Sequence, residues 1–219
     1  MTNASFDLDS PWYYINIQYR DCTRLHEIMY GYCHILPSRC LECWKVVVAP
    51  RTLAELWKLK GLMERMNRFS KCGIELRKYA GRPYGAYFYN DSVFLGRECY
   101  RIVREAVSDE ISPDMPMLLK RGCTEFEREF GPTDQWEHAL TPQSLQAEKL
   151  IMEYVEAVKP DPRPDHLNNR TFRLWVEHAF ERGDSTWKEF CDNPDQFPLL
   201  TKPVTYHEPP KPKKVGEHA

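Results

Sequence analysis

The apolar positions of this chain change their spacing several times, and each change marks an element. Residues 44–49, WKVVVA, form a β-branched run stopped by Pro50, which predicts a buried strand. In the stretch that follows, RTLAELWKLKGLMERMNRF, Leu53, Leu56, Leu59, Met63 and Met66 recur at helical spacing. Thr52 stands where an N-cap belongs and Glu55 completes a capping box, so the helix is expected to start there. GIELRKYA and YGAYFYN read as two strands separated by Gly81-Arg82-Pro83, a turn of hairpin length. DSVFLGRECYRIVREAV returns to helical spacing through Phe94, Cys99, Ile102, Val103 and Val107, capped by Asp91 or Ser92, and PMLLKRG closes the series as a short strand.

From Trp44 to Gly122 the order is therefore strand, helix, strand, strand, helix, strand. This is the element order of an α+β ferredoxin-like split β-α-β core (βαββαβ), and it argues for a fold without carrying an activity. Pro116 agrees with it, because the fourth strand of that topology lies at a sheet edge where a missing N–H is tolerated. The chain then divides into an N-terminal extension packing on the core (1–37), the ferredoxin-like core (38–123), a C-terminal helical region (124–200) and a Pro/Lys-rich tail (201–219). The extension holds a strand pattern, WYYINIQY, and a short helical one, CTRLHEIMYGY. TPQSLQAEKLIMEYVEAV and NNRTFRLWVEHAFERG predict two helices, joined by the proline-rich connector KPDPRPDH. The tail has too little apolar surface to offset the entropy of ordering and is expected to be disordered.

At 219 residues the chain can bury a core without cross-links. No apolar stretch reaches bilayer length, and MTNASFDLDSPWYY lacks a basic leader and an apolar signal core, so a cytoplasmic protein with no membrane partner is expected. In that compartment eight cysteines stay mainly reduced, and clusters among them point to metal or redox chemistry. The net charge of -2 conceals an asymmetry: fourteen Lys and Arg face seven Asp and Glu between Arg39 and Ala106, which leaves a net charge of -9 on the rest. A basic module of this kind meets nucleic acid, or it docks the acidic helices of its own chain.

Cys40-x-x-Cys43 precedes the first strand of the core, Cys72 precedes the second as predicted, and Cys123 follows the last. A right-handed crossover makes the first two strands parallel, so their starts and the end of the fourth should share one edge of the sheet. Cys40, Cys43, Cys72 and Cys123, with His34, are therefore the expected metal ligands, zinc in a tetrahedral site first and an iron-sulfur cluster as the alternative. Independent core thiols are the competing explanation. Trp44 stands where a haem-attachment motif needs histidine, and a thioredoxin-type pair would precede a helix rather than a strand.

RPYGAYFYN loosely resembles the basic and aromatic central strand of RNA-recognition modules, with Arg82, Tyr84 and Phe88 as the contacting residues and Pro83 where a glycine is expected. Burial of that aromatic face under the C-terminal helices is the competing explanation. Arg97, Arg101 and Arg104 share one helical face and would meet phosphates, unless they form a solvated face paired with Glu98 and Glu105. Cys123, Glu125 and Glu127 in KRGCTEFERE are the place for chemistry, with Glu125 or His34 as acid or base. The expected function is that of a metal-stabilised cytoplasmic protein contacting nucleic acid, RNA above all, through residues 39–106. A metal- or cysteine-dependent enzyme at the Cys72/Cys123 edge is one alternative, and a subunit of a larger protein assembly is another.

Overall fold

The computed structural model describes residues 11–16, 26–157 and 169–196. The predicted tail, the KPDPRPDH connector and Cys22 lie outside them. The chain is a mixed α+β protein built on one sheet of five strands: β1 (Trp12–Ile15), β2 (Trp44–Val48), β3 (Ser70–Ile74), β4 (Tyr84–Asn90) and β5 (Met117–Arg121). The strands lie in the order β1-β3-β4-β2-β5, and every neighbouring pair is antiparallel. The helices are α1 (Leu53–Met66), α2 (Val93–Glu110), α3 (Thr124–Phe130), α4 (Pro142–Ala157) and α5 (Asn169–Glu181). None of the described helices is long and apolar enough to cross a membrane.

Two features depart from the expected four-stranded core. The sheet has a fifth strand, because β1 pairs with β3 along its outer edge. Gly73 permits that approach: a Cβ there would sit 2.0 Å from the Pro11 carbonyl oxygen. The second departure is one of position, since β3 starts at Ser70 rather than at Gly73. After Ile74 the chain leaves the sheet and turns through Lys78–Ala80 to Gly81, whose φ of +65° suits glycine.

Alternation along the strands sends Val46, Val48, Cys72, Ile74, Tyr84, Ala86 and Phe88 to one face, where they are buried with the apolar sides of α1, α2 and α5. The sequence predicts α1 and its cap correctly, and the Thr52 hydroxyl accepts from the Glu55 N–H at 3.2 Å. The free N–H groups of that helix are also satisfied from the far end of the chain. Asp184 accepts from the Leu53 N–H at 2.6 Å and from the Tyr84 hydroxyl at 2.8 Å, and Thr186 accepts from the Ala54 N–H. Trp175 of α5 is fully buried and donates its indole N–H to the Pro11 carbonyl at 2.8 Å. Each large side chain buried in this layer contributes about 1.5–3 kcal/mol.

A smaller cluster of Leu36, Phe126 and Trp136 sits where β2 begins and β5 ends. It joins a helical turn at His26–Tyr32 and a short one at Ser38–Leu41 to α3. Gly122 makes the junction possible, because its φ is +57° and a Cβ would stand 2.5 Å from the Trp136 ring.

Candidate functional site

The residues that alternate with the core set form the opposite face of the sheet. Tyr14, Lys71, Tyr87 and Val47 lie side by side across β1, β3, β4 and β2, while Lys45 pairs with Tyr89. The Lys71 ammonium stands 4.4 Å from the ring centre of Trp12, 5.6 Å from that of Tyr87 and 5.8 Å from that of Tyr14. Lys71 has no carboxylate partner among the described residues. Burial, then Lys45 and Arg77, lower its pKa to about 8.

Around it lies a recessed polar network. Tyr87 is 5% exposed, and its hydroxyl accepts from Arg77 at 2.7 Å and from Arg82 at 2.8 Å while donating to Glu75, itself 5% exposed. Burial raises the pKa of Glu75, but hydrogen bonds from Arg77 and Tyr87 outweigh it and keep the carboxyl low. Arg77 also reaches Glu125 Oε1 at 3.1 Å, where Tyr79 donates as well. Glu125 is pushed up by burial, yet Tyr79, its backbone hydrogen bond and Arg77 hold it down to about 2. Four cations, Lys45, Lys71, Arg77 and Arg82, thus share this network with two carboxylates, Glu75 and Glu125, among the described residues.

At the Cys123 end of this face, Lys45 is 8% exposed and its Nζ lies 2.9 Å from Cys123 Sγ. Burial opposes its charge, but Cys123, Cys43 and Tyr89 outweigh burial and keep the ammonium protonated. His26, Cys123 and Glu125 bring their ring nitrogen, Sγ and carboxylate oxygen within 4.8 Å of one another. Among the described residues this is the one group of three or more His, Cys, Asp or Glu side chains so gathered. The His26 ring lies 5.2 Å from Phe126 and 4.9 Å from Tyr30, and burial lowers its pKa.

Of the five ligands expected from the sequence, the structure places only Cys123 in that group. Cys40 lies in the Ser38–Leu41 turn, Cys43 directly before β2, and the Cys43 carbonyl accepts from the Gly122 N–H at 2.7 Å, so these segments do meet at one end of the sheet. Cys72 is a correction. Because β3 starts at Ser70, Cys72 falls inside the strand on the helix-covered face, fully buried among Leu and Phe side chains, and burial drives its thiol pKa up. His34 is exposed and pairs with Glu129 at 2.9 Å.

The predicted nucleic-acid residues divide in the same way. Tyr84 and Phe88 are 0% exposed and belong to the core, so they cannot stack on a base. Arg104 donates to the Met115 carbonyl, and Arg101 pairs with Glu105 at 3.7 Å. Arg97 and Arg101 are exposed on α2, in the layer on the other side of the sheet from Lys71. Arg82 alone of the six belongs to the polar network. A cleft of about 390 Å³ near Arg51, Tyr84 and Arg182 is also polar, but Asp184 is committed there to α1 and Arg51 to Glu55 and Asp114. The sequence pattern assigns no site role to Lys45, Lys71, Tyr87 or His26, although the first three are the other half of the alternation that marks the strands.

No protein-family model matches the chain, and neither a curated protein nor a solved structure matches it.

Proposed function

We propose that the protein binds single-stranded nucleic acid, RNA foremost, on the polar face of its sheet. The observation that carries this reading is Lys71, an ammonium set among three aromatic rings with no carboxylate partner among the described residues. A half-buried charge of that kind is costly by itself and is relieved by an anion. Phosphates would meet Lys71 and Arg82, while bases would stack on Trp12, Tyr14 and Tyr89, a combination that suits unpaired strands. In the same reading, β2 to β5 with α1 and α2, in the spatial order β5-β2-β4-β3, form a ferredoxin-like split β-α-β arrangement to which β1 adds a strand.

Fluorescence anisotropy with labelled single-stranded RNA and DNA oligonucleotides tests the assignment. Affinity should fall steeply with salt, and Lys71→Ala should weaken binding and reduce the slope of log K against log salt by about 0.7, the contribution of one phosphate contact. Arg97→Ala with Arg101→Ala should leave both unchanged. No binding at about 50 mM salt, or a stronger effect from the α2 arginines than from Lys71, sinks the reading.

A further inference from the structure

We propose that Cys123 is a nucleophile, with His26 as its general base, Glu125 positioning the imidazole and Lys45 holding the negative charge that develops on the substrate. The chemistry is transfer or hydrolysis of an acyl group from an activated carboxyl compound, an ester or thioester. It goes beyond the binding reading and does not depend on it.

Four observations converge on this site. A His26 ring nitrogen, Cys123 Sγ and a Glu125 carboxylate oxygen lie within 4.8 Å of one another, close enough for side-chain rotation to bring them into hydrogen-bond contact. Glu125 Oε1 is taken by Arg77 and Tyr79, but Oε2 is buried without a hydrogen-bond partner and is available to a ring N–H of His26. Phe126 and Tyr30 pack on the His26 imidazole and fix its plane. Lys45 is an almost fully buried ammonium 2.9 Å from Sγ. Lys45 beside Cys123 and Arg77 on Glu125 already set two cations against this group, so a bound dication has little left to attract it.

In the first half-reaction Sγ bonds to the carbonyl carbon as His26 takes the thiol proton, and the carbonyl π electrons move onto the oxygen beside Lys45. The carbonyl then re-forms, the bond to the leaving group breaks, and the leaving oxygen or sulfur receives the proton from His26. Water, deprotonated by His26, next attacks the acyl-cysteine, and the carboxylic acid leaves as Sγ regains its proton.

With p-nitrophenyl acetate as the probe, the intact chain should release a burst of p-nitrophenol equal to the enzyme present, with the acetyl group found on Cys123 by peptide mass mapping. Cys123→Ser should remove the burst. Prior alkylation of Cys123 by iodoacetamide should do the same, which serves if the serine variant is poorly folded. His26→Ala should slow the burst by about 100-fold or more. Glu125→Gln should slow it and move its half-maximal pH downward, because the carboxylate that stabilises the imidazolium is gone; a merely structural role would leave that pH in place. Acetylation at another residue, equal burst rates in the parent and His26→Ala, or stoichiometric zinc that occupies Cys123 and blocks acetylation would each overturn the proposal.

Discussion

The two faces of the sheet are built from alternate residues of the same strands, yet they solve opposite physical problems. On the covered face, Phe88, Cys72 and Val46 meet Trp175 and the α1 leucines, and stability comes from removing apolar area from water. On the other face, Lys71 and Lys45 hold charge beside the rings of Tyr87 and Tyr89, and only some of it is paired. One face therefore holds the fold together, and the other gives up stability to keep charged groups poised.

That contrast can be broken from the covered side first. Trp175→Ala should cost about 3–5 kcal/mol in urea unfolding, against less than about 1 kcal/mol for Tyr89→Ala on the polar face. Equal losses would erase the distinction. Asp184→Ala should follow at about 2–3 kcal/mol, since it leaves the Leu53 N–H and the Tyr84 hydroxyl without their charged acceptor.

Lys71→Met acts in the other direction and should stabilise the protein at pH 7 while weakening oligonucleotide binding. The sign follows from proton linkage. With a folded-state pKa of about 8 against an ordinary 10.5, the unfolded chain binds more protons between those values, so Lys71 penalises the fold fully below about pH 8. The parent should regain that stability as pH rises from about 8 to 10.5, and Lys71→Met should show no such rise. Glu125 gives the complementary, smaller test at low pH: its contribution is complete above pH 4.5 and disappears as pH falls through about 2, a trend that Glu125→Gln should flatten in acid denaturation. Arg97→Ala should do least, within about 0.5 kcal/mol of the parent.

The sequence was most legible where period and capping agreed. The α1 stripe, the Thr52 cap, the edge position of β5 and the Cys99, Val103 and Val107 part of the α2 stripe follow from local chemistry that burial reinforces, whereas Phe94, expected in that stripe, is exposed. Alternation in YGAYFYN revealed two faces but not which would be covered, because that depends on α5, which comes from more than eighty residues further along the chain. A start placed three residues late in β3 was enough to put Cys72 at the rim instead of in the core, since position along the strand decides depth. His26 could not be found from spacing at all. It meets Cys123 and Glu125 only through the packing of the His26–Tyr32 turn on α3, and nothing near it in the sequence carries a motif.

The Pro11 carbonyl has a consequence for how the chain acquires its structure. One oxygen accepts from the Ile74 N–H at 3.3 Å and from the Trp175 indole at 2.8 Å, so three segments separated by 63 and 101 positions meet at a single atom. Contacts of such long sequence separation require large loops to close before they return any energy, which makes folding slow relative to a local helical bundle. A ribosome would have to deliver α5 before the Pro11 carbonyl could accept from Trp175. The rate-limiting event should accordingly be closure around Trp175, and a substitution there should slow refolding as well as weaken the native state.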